Sequence, residues 1–204
     1  MLQTQNLAAR RGDARLFADL SFSLSPGTTL LVTGPNGSGK TTLLRILAGL
    51  TAPADGHATW RGVPLRAFDP RLRAETLFVG HVPALKDELT ALENLASLAS
   101  LQGSAPTAEE LRSALARWAL SRQSALPARV LSQGQRRRVA LARLTLCKRA
   151  LWLLDEPGTA LDDVGVSTLC SAIAEHLAAG GVSVIATHQP LELPRAAVQS
   201  LRLT

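Results

Sequence analysis

The sequence predicts an α/β fold: a largely parallel sheet flanked by helices, with an all-helical lobe inserted into it. Three observations predict it. Short apolar runs alternate with helical stretches, the order from which parallel sheets are built. From about 91 to 149 Ala, Leu, Glu and Arg recur at three- and four-residue spacings, and the block over about 82–140 reads as the helical lobe. A glycine-rich segment joins an apolar run to the helix that follows it.

Leu20, Phe22 and Leu24 alternate with Ser21, Ser23 and Ser25, a period of two that reads as a half-buried strand closed by a Pro26-Gly27 turn. Leu30, Leu31 and Val32 run without interruption towards Gly34, which suits a strand covered on both faces. A helix over about 40–48 places Leu43, Leu44 and Leu47 on one side, and Gly49 stops it. Residues 56–65 read as a hairpin with Thr59-Trp60 before Gly62. The pattern over 91–149 is helical, broken by a turn-rich stretch at 102–107, and Thr107 opens a T-x-x-E capping box. The β/α alternation then resumes, with a buried strand at 151–154, a helix at 164–177, a Gly180-Gly181 turn and a strand at 182–187. The 204 residues read as one domain with the lobe inside it.

Composition excludes several classes. With 46% hydrophobic and 19% charged residues the chain is not disordered. Aromatics are 3% and Tyr is absent, so the core is aliphatic and a base-stacking nucleic-acid platform is not expected. Cys147 and Cys170 lack metal or disulfide spacing and read as small hydrophobes in a reducing compartment. The best candidate for a membrane span, 139–154, is interrupted by Arg143, Lys148 and Arg149. The first 17 residues lack the apolar centre of a signal peptide. The expectation is a chain made and kept on the cytoplasmic side. The net charge of +6 favours anionic partners such as a lipid surface, and its one dense run is Arg136, Arg137 and Arg138.

Three motifs carry chemistry. GPNGSGKT, residues 34–41, fits the phosphate-binding pattern G-x-x-x-x-G-K-[ST]. Glycines at 34, 37 and 39 let the backbone curl around phosphate oxygens, with Pro35, Asn36 and Ser38 completing the loop, and the helix that starts at Lys40 adds its positive end. Lys40 can reach the β- and γ-phosphates, and the Thr41 hydroxyl can bind Mg²⁺. A bare glycine turn before a helix is the plainer alternative, and the complete spacing argues against it. LWLLDEP, 151–157, puts Asp155 and Glu156 at the C-terminal end of an apolar strand, where ligands of open α/β sheets gather. Asp155 is assigned to the metal and Glu156 to the general base. A solvated acidic turn is the alternative. LSQGQ, 131–135, is a capping box with Ser132 as N-cap and Gln135 reaching back, and the exposed helix end at Gly134 is also an anion site.

GPNGSGKTT, LSQGQ running into RRRVALARL, LLDEP, TALD and ATHQ occur in that order, and the chain resembles the ATP-binding subunit of an ABC transporter. The resemblance implies a P-loop NTPase: an ABC ATPase core with an antiparallel β subdomain and an inserted helical subdomain. It implies ATP and Mg²⁺, and a homodimer sandwiching two ATP molecules. Phosphate contacts extend to Thr42. Ser132 and Gly134, with Gln135 beside them, then face the γ-phosphate held by Lys40 of the other copy. Asp162 resembles the residue of the loop that crosses between copies, and His188 the switch histidine that contacts the γ-phosphate.

Three positions depart from the family pattern. Gln133 stands where the signature usually has glycine. Arg11 occupies the slot of the adenine-stacking aromatic, where a guanidinium plane can also stack. No Gln lies between Gly80 and Asn94, and His81 takes the place of the metal-sensing Gln, which would make coupling sensitive to pH. GPNGSGKTTLLRILAGL, the GH-x-P-x-x-K-x-ELTALENL stretch and LWLLDEP-x-TALD are most similar to the haem-exporter branch that serves cytochrome c maturation, with TALENL and the spacing of Lys86 the distinctive parts. That branch implies integral membrane transporter subunits as partners and peripheral association with the cytoplasmic face of the bacterial inner membrane. The alternatives are another transporter's ATPase, a soluble ABC ATPase acting on nucleic acid or the ribosome, and a small-molecule kinase. LSQGQ and LLDEP argue against the kinase.

Overall fold

Two long antiparallel strands open the chain, β1 (Leu2–Arg11) and β2 (Ala14–Leu24). The structure, a computed structural model, describes residues 1–204. The sequence reading saw only the second half of this hairpin. In β2 the exposed Ser21 and Ser23 alternate with Leu20 and Phe22, which pack on the core. In β1 the backbone breaks register between Thr4 and Leu7, with Asn6 at φ 48°, so the side-chain alternation shifts and the period of two is lost to inspection.

The elements that follow are β3 (Thr29–Thr33), α1 (Lys40–Leu47), β4 (Asp55–Trp60), β5 (Val63–Pro64), α2 (Pro70–Glu75), β6 (Thr76–Val79), α3 (Ala91–Leu101), α4 (Ala108–Arg117), α5 (Gln133–Leu146), β7 (Leu151–Asp155), α6 (Asp163–Ala178), β8 (Val182–Ala186) and β9 (Val198–Arg202). They form two compact units.

The first unit comprises Met1–Phe78, Arg149–Glu156 and Ile173–Thr204. It holds an antiparallel sheet of order β2-β1-β4-β5 and a second sheet of order β6-β7-β8-β3-β9. In the second sheet β7 pairs with β8, β8 with β3 and β3 with β9, all parallel. Every residue of β7 and β8 is buried, which is why both read as unbroken apolar runs. Leu43, Leu44 and Leu47 of α1 are fully buried in one core with Leu30, Val32, Leu153 and Val184. The strand β9 escaped the sequence reading because VQSLR at a sheet edge is mostly polar and exposed.

The second unit comprises Val79–Lys148 and Pro157–Ala172. The helical pattern expected over 91–149 resolves into three helices, of which α5 stops at Leu146. Thr90, Thr107 and Ser132 each close a capping box at the start of α3, α4 and α5. Such a cap is worth about 1 kcal/mol. Between α4 and α5 the chain is irregular, with Ala119 at φ 55° and only a short 3-10 turn over Ala128–Val130. Leu95, Leu115, Trp118, Leu120 and Leu141 form this unit's interior.

His176 on α6 stacks face to face on Trp152 of β7, ring centroids 3.9 Å apart, and its Nε2 donates to the Val182 carbonyl at 3.1 Å. Burial lowers its pKa, opposed by that hydrogen bond. The folded chain therefore takes up this proton less readily than the unfolded chain. The contribution of His176 to stability is complete above its ordinary value near 6.5 and is lost as pH falls below it. Urea unfolding midpoints of wild type and His176→Gln should converge between pH 7.5 and 5.5, because only the wild type carries this loss. An equal acid shift in both would contradict the assignment.

Candidate functional site

The loop between β3 and α1 has Gly34 at φ 144°, Gly37 at φ 87° and Gly39 at φ 99°, conformations that side chains rarely adopt. Space is as tight as torsion. A Cβ on Gly34 would lie 2.4 Å from the Leu203 carbonyl oxygen, and one on Gly39 would lie 2.9 Å from Phe17 Cδ1. The first turn of α1 has no side-chain cap and no acidic residue, so its N–H groups are available to an anion. Lys40 Nζ folds back on the loop and donates to the carbonyls of Gly34 at 2.8 Å and Pro35 at 3.1 Å. Ser38 is buried, and its Oγ has no hydrogen-bond partner, an orphan that a phosphate oxygen would satisfy. Pro35, Asn36 and Gly37 are exposed, and Thr42 is half-buried.

Thr41 Oγ1 donates to Asp155 Oδ2 at 2.8 Å. Asp155 ends β7 at 2% exposure. The pair sets a hydroxyl and a carboxylate together at the phosphate loop, a hard-oxygen donor set that suits Mg²⁺. Among the described residues no group of three His, Cys, Asp or Glu side chains could hold a metal. An ion here would need phosphate and water oxygens as well.

Glu156 follows at φ 48°, a conformation that costs a residue with a Cβ roughly 1–2 kcal/mol. Its N–H donates to the Ala186 carbonyl at 2.8 Å, which holds the turn against β8. Its Oε2 lies 2.8 Å from His188 Nδ1 and accepts the His188 backbone N–H at 3.3 Å. Nδ1 is the ring nitrogen that faces the carboxylate. Strain at this position is met by two contacts on the carboxylate and one on the backbone, so Glu156 is aimed.

In the second unit Ser132 caps α5. Its Oγ accepts the Gln135 N–H at 3.2 Å, and Gln135 Oε1 accepts the Ser132 N–H at 2.9 Å. Gly134 is required by close approach: a Cβ there would sit 2.6 Å from the Ala160 carbonyl oxygen. Two residues on, Asp162 accepts the Gly165 N–H at 2.9 Å and a hydrogen bond from Arg138 Nη2. Those two contacts hold its carboxyl below the ordinary carboxylate value.

Two of the expected residues are less built in. Arg11 ends β1, exposed, opposite Ala14. From the same hairpin it is Leu16 and Phe17 that crowd the loop, since a Cβ on Gly39 would meet both. His81 is exposed in the second unit, where its backbone carbonyl accepts a hydrogen bond from Arg137.

Sequence reading missed two structural residues of the second unit. Asn94 is 2% exposed. Its Oδ1 accepts the Lys86 N–H at 2.8 Å, and its Nδ2 lies 3.0–3.1 Å from the carbonyls of Lys86, Leu89 and Thr90. Asn94, in the first turn of α3 and inside the TALENL motif, thus fixes the loop that carries Lys86. Arg137 is the other: it is buried, although it stands in the most basic run of the chain. An Arg in helical phase with Val139–Leu141 and Leu144 was the available signal.

The family model for the ABC transporter matches residues 17–159. The chain is 50% identical over 191 residues to the cytochrome c biogenesis ATP-binding export protein CcmA 2 of Cupriavidus metallidurans, covering 94% of this chain and 90% of that one. It is 46% identical over 204 residues to CcmA of Nitrosomonas europaea, covering 100% and 96%. A solved dimeric ATP-binding cassette in a post-hydrolysis state, bound to ADP and Pi, superimposes with a TM-score of 0.83 at 25% identity over 100% of this chain and 94% of that one. The order of motifs, the two sheets with their phosphate loop and these likenesses agree: the chain belongs to the ABC transporter family, in its CcmA group of ATP-binding export proteins.

Proposed function

We propose that the chain is the ATP-hydrolysing subunit of a membrane exporter, and that the export serves cytochrome c maturation by moving haem. One observation carries the ATPase reading. A glycine cradle, the Thr41–Asp155 oxygen pair and the Glu156–His188 pair all lie in the first unit. The exporter and haem parts rest on the names of the relatives and on the motif resemblance.

ATP is the substrate. The loop Gly34, Pro35, Asn36, Gly37, Ser38, Gly39 and the first turn of α1, with Thr41 and Thr42, bind its phosphates, and Lys40 exchanges a loop carbonyl for a phosphate oxygen. Thr41 and Asp155 would hold Mg²⁺, which supplies positive charge to the β- and γ-phosphate oxygens. Glu156 accepts the proton of the water that attacks the γ-phosphorus. The bond to the β–γ bridging oxygen breaks, and ADP and phosphate leave. His188 keeps the Glu156 carboxylate turned towards that water. Ser132, Gly134 and Gln135 of a second copy close on the γ-phosphate, and the segment bearing Asp162 passes between copies; the dimeric neighbour supports this arrangement. Arg11 is proposed to stack on adenine and His81 to sense the metal.

No helix among the described residues is long and apolar enough to cross a membrane, so export needs integral membrane partners. We place the chain peripherally on the cytoplasmic face of the bacterial inner membrane. No nucleic-acid partner is proposed, because the Arg136–Arg138 run is engaged internally: Arg136 pairs with Asp87 at 2.6 Å, Arg137 binds backbone carbonyls and Arg138 pairs with Asp162.

Lys40→Ala should abolish ATP binding. Glu156→Gln should keep binding, lower turnover at least about 100-fold, as loss of a general base does, and accumulate as a dimer with Mg-ATP. Tagged Glu156→Gln drawn from detergent-solubilised membranes with Mg-ATP should carry polytopic subunits linked to haem delivery. A different permease would remove the haem assignment, and recovery of ribosomes or nucleic acid alone would overturn the exporter.

Gly134→Ala forces the Ala160 backbone to move and should cost roughly 1–3 kcal/mol of stability, as overpacking does. ATP-driven dimerisation measured by light scattering should weaken while ATP affinity stays near wild type. Unchanged dimerisation would contradict the role of this helix end.

A further inference from the structure

Arg137 is 2% exposed, and its donors reach backbone on two separate segments. Nη1 donates to the carbonyls of Gly80 at 2.8 Å and His81 at 3.1 Å, and Nε donates to the carbonyl of Pro157 at 3.2 Å. All four residues belong to the second unit. Burying a guanidinium is costly unless its donors are satisfied, so this side chain is fixed where carbonyls converge.

Neither segment has ladder bonds of its own, since residues 80–83 and 157–160 lie outside helices and strands. A hollow of about 300 Å³ lies beside Arg137, lined by His81, Val82, Gln133, Thr159 and Ala160. Thr159 Oγ1 is buried with no hydrogen-bond partner. What bridges the two segments is the guanidinium fork. One segment bears His81. The other directly follows Glu156 in the chain and runs to Ala160, whose carbonyl limits position 134. A lysine cannot reproduce the bridge, because an ammonium on a flexible stem lacks the fixed fork.

We propose that Arg137 is a positioning residue that ties residues 80–81 to the turn after Glu156, so that a shift in one segment is passed to the other during turnover. The inference rests on the ATPase reading above. Arg137 touches no nucleotide in this scheme and acts through the backbone that it holds.

The test uses the full chain with Arg137→Lys and Arg137→Gln, measuring ATP turnover, ATP affinity and amide hydrogen exchange. Both variants should lose about tenfold in kcat, the effect of a barrier raised by roughly 1.4 kcal/mol, with Kd for ATP close to wild type. Exchange at amides of 80–82 and of 158–160 should rise together. Wild-type kcat in the Lys variant, equal losses in kcat and ATP affinity, or faster exchange in only one segment would overturn the proposal. If Arg137→Gln fails to fold, the Lys variant, checked by its thermal melt, carries the same readings. Exchange is read without turnover. A wild-type chain that hydrolyses no ATP, yet whose Lys variant loosens both segments, would refute the ATPase reading and leave the tie standing.

Discussion

The hydrogen bond from Thr41 Oγ1 to Asp155 Oδ2, 2.8 Å long, joins residues 114 positions apart, and the site in the first unit depends on it. It can form only because β3 and β7 both pair in parallel with β8, so that the loop after one strand and the carboxylate ending the other emerge at the same edge. Once β7 ends there, Glu156 must turn at φ 48°, and the Ala186 carbonyl and His188 meet it from the end of β8. The glycine loop, the oxygen pair and the Glu156–His188 pair are consequences of one sheet order.

Sheet order also explains which parts of the sequence were readable. Buried parallel strands must be apolar throughout, so β3, β7 and β8 stand out as runs, and the glycines at 34, 37 and 39 are fixed by torsion as well as by contact. The capping boxes at Thr107 and Ser132 are local and need no tertiary knowledge. What stayed hidden is non-local. The break at Asn6 scrambles the alternation of β1, and β9 is a polar edge. Asn94 reads as an ordinary surface polar residue until the chain folds a loop over it. Arg137 reads as one of three equal charges until α5 turns it inward.

The run at 136–138 shows how little net charge says about a site. Its three guanidinium groups serve a carboxylate on a neighbouring loop, backbone carbonyls and the Asp162 carboxylate. A charge run on a helix that packs on several neighbours is internal scaffolding, and the +6 balance survives as scattered surface arginines. The same helix begins at Ser132 and Gly134, so the segment proposed to face a second copy's nucleotide is braced by the residues behind it.

The claim that Thr41 and Asp155 form the metal-holding pair is tested most directly by titrating Mg²⁺ into ATP turnover assays of wild type and Asp155→Asn, with ATP binding followed in parallel. Wild-type turnover should stop with EDTA. The variant should need at least about tenfold more Mg²⁺, the low end of the roughly 10–100-fold affinity loss on removing groups that support a metal, while still binding ATP. Turnover that survives EDTA, or a variant with the wild-type Mg²⁺ requirement, would contradict the claim.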